Sequence, residues 1–223
     1  MQAAAIQVMK QSAGKKVIIG LGATGLSVAR FLARHGHDFA VVDSRSNPPG
    51  LEALRSEFPE VDVHLGDFNT SLLETADQLI VSPGIAVSTP EIAEASVAGV
   101  EVVGDIELFA RNVKKPVVAI TGSNGKSTVT ALLGEMAANA GMPAGVGGNI
   151  GIPALDLLAA KEYELYVLEL SSFQLETTQS LKPLASVVLN VSPDHLDRYA
   201  SFEAYKQAKA VVYQQANFCV INR

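Results

Sequence analysis

Apolar residues in this chain come in short runs that alternate with stretches of helical period. "KKVIIG" (15–20) reads as a buried strand and "GLSVARFLARHG" (25–36) as the helix after it. "DFAVVD", "VDVHLG", "DQLIVSPG" and "VEVVGD" repeat the theme, each followed by turn residues or an amphipathic stretch. Such β-α-β rhythm predicts a parallel sheet with helices on its faces. At "NVKKPVVAITG" charge and a proline precede a new apolar strand, Val117 to Ile120, and the rhythm restarts with "YELYVLELSS" (163–172), "ASVVLNVS" (185–192) and "NFCVIN" (217–222). The expected organisation is two α/β units, residues 1–112 and 113–223, with no short-period repeat. The first has the pattern of a Rossmann-like nucleotide-binding domain. The second has that of a P-loop-type parallel α/β ATPase domain, truncated because the chain stops on a strand, as a fragment of a longer protein would.

Composition narrows the partners. The 223 residues are 48% hydrophobic and 18% charged, with net charge −6 and no basic run, so a nucleic-acid partner has little electrostatic support. Backbone amides can still bind small anions. The one cysteine, Cys219, has no partner for a disulfide within the chain, and its apolar neighbours predict a buried thiol, in keeping with a reducing cytoplasm. No apolar run is long enough to span a membrane, and "MQAAAIQVMKQSAGKK" lacks a signal-peptide core.

Two glycine loops carry the first chemistry. Gly20, Gly22 and Gly25 have G-x-G-x-x-G spacing between a strand and a helix, and Asp43 ends the next strand where a ribose-binding acid would stand. Small residues there let amides approach a diphosphate at a helix N-terminus, which does not name the nucleotide. Ser44 and Arg45 follow Asp43 at the strand tip, where a sugar or base could be gripped; for Arg45 a solvated loop charge is the plainer alternative. The second loop, "AITGSNGKSTVTALLGEM" (119–136), ends in Gly-Lys-Ser-Thr as a P-loop does, but Ile120 occupies the place of the P-loop's first glycine. Gly122 and Gly125 permit positive φ and an inward-facing anion nest, Lys126 can neutralise phosphate charge, and Ser127 can offer a hydroxyl to Mg²⁺. Val129, Leu132, Leu133 and Met136 are spaced for the helix behind it.

Three charges stand in apolar company. Glu169 lies inside "YVLELSSF", where a carboxylate is costly unless paired or metal-bound. His195 follows the strand "ASVVLNV"; a hydrogen-bonded loop histidine is its plain alternative. Both fall at C-terminal strand ends, the ligand edge of open α/β sheets. Lys209 continues the stripe Phe202, Tyr205, Val212, Tyr213 and so belongs on an apolar face. It either snorkels to solvent or is a buried amine. Burial would lower its pKa, and a neutral amine can take up CO₂ as a carbamate, a carboxylate able to hold a metal.

Together these pieces resemble the Mur ligases of peptidoglycan synthesis, nearly end to end, through "GLGATGLS", "SPGIA", "VGDIELF", "AITGSNGKSTVT", "GVGGNIG", "YVLELSSFQLE" and "DHLDRY" in that order. "TGSNGKST" is similar to that family's shorter P-loop, and "LELSSFQLE" and "GDIELF" favour the member that adds D-glutamate. The resemblance implies a cytoplasmic, monomeric, ATP-dependent ligase joining D-glutamate to UDP-N-acetylmuramoyl-L-alanine through an acyl phosphate, with two Mg²⁺ ions. It implies UDP contacts at Ala23, Thr24, Asp43, Ser44, Arg45 and Gly84, and contacts to the sugar–lactoyl part or reaction centre at Asn149, Ser171 and His195. ATP would lie on Gly122, Ser123, Asn124, Gly125, Lys126, Ser127 and Thr128. Ser127 and Glu169 would hold one metal, His195 and carbamylated Lys209 a second, with Lys126, His195 and Lys209 catalytic. The resemblance also implies a third, amino-acid-binding domain carrying the D-glutamate site, which is expected to lie outside these 223 residues. Three alternatives stay open: a nicotinamide oxidoreductase using the first loop, a non-catalytic binding module, and a folylpolyglutamate synthetase, which lacks the "GLGATG" domain.

Overall fold

The computed structural model describes residues 15–160, 163–195 and 197–222, so the opening stretch, which lacks a signal-peptide core by sequence, lies almost wholly outside them. The chain divides into two compact units, Met1–Val103 and Gly104–Arg223.

In the first unit, strands β1 (Lys16–Ile19), β2 (Phe39–Asp43), β3 (Val63–Leu65), β4 (Gln78–Val81) and β5 (Glu101–Val103) form a parallel sheet in the order β3-β2-β1-β4-β5. Helices α1 (Ala23–Arg34), α2 (Leu51–Glu57), α3 (Thr70–Glu74) and α4 (Pro90–Val97) join them. The apolar runs are central strands: Val17, Ile18, Ile19, Val41 and Val42 are fully buried. Each such side chain contributes roughly 1.5–3 kcal/mol. β1 lies between β2 and β4, so the loop after it sits where strand order reverses, the usual ligand position in this architecture.

The second unit repeats the plan. Strands β6 (Val117–Thr121), β7 (Ala144–Gly148), β8 (Leu165–Glu169), β9 (Ala185–Val188) and β10 (Phe218–Ile221) order as β10-β9-β6-β8-β7, all parallel. Its helices are α5 (Asp105–Asn112), α6 (Lys126–Asn139), α7 (Ala154–Ala160), α8 (Ser172–Glu176) and α9 (Phe202–Ala210). Two mixed α/β units with parallel sheets are thus present. Among the described residues no helix is long and apolar enough to cross a membrane.

Four details differ from the expectations. The units part at Val103, not at 112, because α5 is fastened to the second unit by its acids. Glu107 accepts from the Gln179 and Ser180 amides (2.7 and 2.9 Å), the Ser180 hydroxyl (2.8 Å) and Arg111 (2.8 Å). β7 carries three glycines in five residues and no apolar run; Cβ atoms at Gly145 and Gly147 would strike Tyr163 and the Ile152 carbonyl. α6 buries Thr130, Gly134 and Ala137, leaving Leu132 and Met136 at 57% and 59% exposure, since a Cβ at Gly134 would meet Val146 at 2.5 Å and that face lies closest to the sheet. Cys219 is exposed, not buried, because β10 is an edge strand with every residue exposed.

The two acids of α5 titrate in opposite directions. Burial alone would raise Glu107, but the Ser180 and Gln179 amides, Arg111 and the Ser180 hydroxyl outweigh it and bring it down from 4.5 to about 2. Its folded pKa is depressed, so its stabilisation is fully present above the unfolded value and is lost as pH falls through about 2. Replacing Glu107 with Gln should therefore lower the melting temperature at pH 7, by the equivalent of about 1–3 kcal/mol. The gap should close between 4.5 and about 2; a gap that is the same at every pH would show that the charge is not what holds the loop.

Candidate functional site

In the first unit the loops after β1, β2 and β4 converge. Gly20 takes φ 95°, and a Cβ at Gly25 would lie 2.0 Å from the Gly20 carbonyl oxygen, so α1 can start this close to the loop only with glycine there. The Ser82 hydroxyl donates to that carbonyl (3.1 Å). Asp43 Oδ2 accepts from the Leu21 amide (2.6 Å) and Arg45 Nη2 (2.6 Å), and Oδ1 from Arg45 N (2.9 Å) and Nε (2.8 Å). Burial pushes the carboxyl up, but these bonds outweigh it and hold it below its ordinary value. Four donors thus engage the two oxygens of Asp43. It fixes the glycine loop and aims Arg45, whose side chain is 52% exposed. Ala23, Ser44 and Gly84 are exposed at the same edge, and Thr24 is half-buried.

In the second unit the glycine loop follows β6, which lies between β8 and β9. Gly125 adopts φ 78° and caps α6 without a side chain, leaving the first amides of the helix to a ligand or solvent. The nest is smaller than its sequence suggests. The Ser123 amide donates to the Asn190 carbonyl (2.9 Å) and the Asn124 amide to Asn190 Oδ1 (2.9 Å), while Asn190 Nδ2 returns a bond to the Asn124 carbonyl (2.9 Å). Lys126 Nζ donates to the Ser123 carbonyl (3.0 Å). Ser127 and Thr128, at the helix start, are exposed.

Glu169 ends β8 at 1% exposure. Its Oε2 accepts from the Ser127 hydroxyl (2.8 Å) and its Oε1 from Asn149 Nδ2 (2.9 Å). Lys209, 2% exposed on α9, donates to the Gly122 carbonyl (2.9 Å), and its Nζ lies 4.7 Å from the Tyr205 ring centroid. Burial, then the charge of Lys126, brings its pKa down to about 8, against the opposing pull of Asp194 and Glu169. These four charged groups therefore share one field. His195 joins them through aromatic contact: its ring lies 4.9 Å from Phe173 and 6.1 Å from Tyr205, whose hydroxyl is 3.3 Å from Ser123 Oγ. Its backbone is left-handed, φ 53°, and its amide donates to Asp194 Oδ1 (2.9 Å). Ser171, at the N-cap of α8, accepts from the Gln174 amide (3.2 Å).

The sheet thus gathers Lys126, Ser127, Asn149, Glu169, Ser171, His195 and Lys209 at one edge. Asn190, Asp105 and Gln174 carry no sequence signal beyond the S-x-x-Q capping box at 171–174, and Tyr205 shows in the sequence only as a member of the apolar stripe. Among the described residues no group of three His, Cys, Asp or Glu side chains is placed to hold a metal. The donor set still fits Mg²⁺ of the nucleotide-bound kind, which takes one or two carboxylates and completes its shell with phosphate and water. Glu169 supplies a buried carboxylate held only by neutral donors, with the Ser127 hydroxyl beside it.

Residues 14–104 match the Mur ligase MurD-like N-terminal domain, and residues 120–223 match the Mur ligase middle domain. The chain belongs to the Mur ligase family. Mur ligases named UDP-N-acetylmuramoylalanine–D-glutamate ligase share 57% identity in Nitrosococcus oceani, over 95% of this chain and 47% of that protein, and 56% in Shewanella violacea, over 93% and 46%. The chain spans about half the length of the curated relatives it matches. Among solved Mur ligases, the UDP-N-acetylmuramate:L-alanyl-γ-D-glutamyl-meso-diaminopimelate ligase of Neisseria meningitides aligns at TM-score 0.61 and 19% identity, over 95% of this chain and 72% of that one. The UDP-N-acetylmuramate–alanine ligase of Thermotoga maritima aligns at 0.55 and 22%, over 92% and 48%. At those identities the likeness bears on the fold.

Proposed function

We propose that this chain is the substrate- and ATP-handling portion of a ligase that adds D-glutamate to UDP-N-acetylmuramoyl-L-alanine. The reaction has two steps. The substrate carboxylate attacks the γ-phosphorus of ATP, giving an acyl phosphate and ADP; the D-glutamate amine then attacks the acyl carbon and phosphate leaves. The first step brings two anions together. Lys126 and the amides at the start of α6 offset that charge and hold the phosphates in line. Mg²⁺, when bound by Glu169 and Ser127, would add further charge neutralisation on the phosphates, and a second ion would require His195 with a carbamylated Lys209. Arg45 and the first glycine loop take the UDP part, with Asp43 holding both in place. Asn149 and Ser171, beside Glu169, serve the sugar–lactoyl part.

The observation that carries this reading is Glu169, a buried carboxylate bonded to the hydroxyl that follows the P-loop lysine, at a strand end. An oxidoreductase has no use for it. In calorimetry, this chain should take up UDP-N-acetylmuramoyl-L-alanine and leave NADH unbound; NADH binding without uptake of the UDP compound would overturn the proposal.

A further inference from the structure

Asp105 opens α5 at 2% exposure, and the function proposed above does not use it. Its Oδ2 accepts from Gln174 Nε2 at 3.1 Å. Among the described residues Oδ1 is buried without a bond of ordinary geometry. Burial raises the carboxyl to about 6; Gln174 and the nearby Ile106 and Asp105 amides oppose that rise electrostatically. A buried carboxylate this poorly compensated costs stability.

It holds one side-chain amide in one orientation. An ionised carboxylate only accepts, so Gln174 must turn its NH₂ toward Asp105 and its carbonyl oxygen the other way. That oxygen accepts from the Ser171 amide (3.1 Å) and the Ser171 hydroxyl (3.3 Å). The Gln174 backbone amide in turn donates to Ser171 Oγ (3.2 Å). The hydroxyl proton and one lone pair are thereby committed, and one lone pair remains.

We propose that Asp105 is a positioning residue which, through Gln174, fixes the Ser171 hydroxyl as a hydrogen-bond acceptor toward the ligand, so that Ser171 receives an N–H or O–H donor of the UDP-sugar substrate and turns away carboxylate or phosphate oxygen. The part concerning the ligand rests on the function proposed above; the coupling from Asp105 to Ser171 does not.

Asp105→Asn tests it, because asparagine can show Gln174 either a carbonyl or an NH₂ and so no longer dictates which way the amide turns. In nuclear magnetic resonance of the ligand-free chain, the Ser171 backbone amide and the Gln174 side-chain amide should shift. The Leu175 amide, bonded to the Ser171 carbonyl at 3.2 Å, should stay in place as the control for loosening of α8. A Ser171 amide that does not move overturns the coupling. In calorimetry with UDP-N-acetylmuramoyl-L-alanine, Asp105→Asn and Ser171→Ala should each weaken binding about three- to tenfold. The double variant should be no weaker than Ser171→Ala alone; losses that multiply overturn the proposal. A parent chain that fails to bind the compound counts against the function, while the ligand-free spectra still decide the coupling.

Discussion

In a full-length enzyme, Lys126→Ala is expected to cut acyl-phosphate formation by about 10³-fold while leaving affinity for the UDP substrate nearly unchanged. The hydrogen bond of Lys126 Nζ stays within the glycine loop, to the Ser123 carbonyl. Its removal should leave the loop standing, because Asn190 bonds the Ser123 and Asn124 amides independently of it. What is lost is a positive charge next to the group being transferred. The measurement is single-turnover release of ADP, read beside calorimetric affinity for the UDP compound. Retained turnover would refute the assignment of this loop to ATP, and a parallel collapse of both quantities would point to misfolding of the loop.

The second large effect concerns Lys209. Lys209→Ala should reduce turnover of a full-length enzyme by at least about 100-fold, and added formate or acetate should restore part of it. Two roles are chemically open to this side chain, and the rescue separates them. As an ammonium it donates to the Gly122 carbonyl and braces the loop. As a carbamate it presents oxygens to a metal. Formation of the carbamate needs the free amine, and burial with the charge of Lys126 brings the pKa down to about 8. Roughly a quarter of the side chain is then neutral at pH 7.5, compared with about 0.1% for an ordinary lysine. Small carboxylates can replace a missing carbamate but not a missing brace, so rescue supports the metal role and its absence supports the brace.

What the sequence disclosed follows from the range over which each signal acts. The central strands were readable because a strand buried on both faces is a continuous apolar run, as in β1 and β8. Lys209 was readable because one cation interrupts a helical stripe, and the structure buries it. β7 was not, since its glycines are chosen by neighbours lying close against the strand, Tyr163 and the Ile152 carbonyl. The unit boundary was missed because Glu107 acts on Gln179 and Ser180, more than seventy positions away in the chain. The bonds of Asn190 and Tyr205 to the glycine loop escaped for the same reason: each meets Ser123 or Asn124 only after the sheet has formed. The exposure of Cys219 depends on which strand occupies the sheet edge, and local hydrophobicity carries no record of that.

That edge has a material consequence. β10 is Phe-Cys-Val-Ile, with Phe218 at 64% and Ile221 at 73% exposure. Sheet proteins usually blunt a free margin with lysine, proline or a bulge, and Phe218–Ile221 contains no charge and no proline. Concentrated solutions of these residues by themselves would be prone to strand-to-strand self-association along that margin, with the Cys219 thiol carried into the seam.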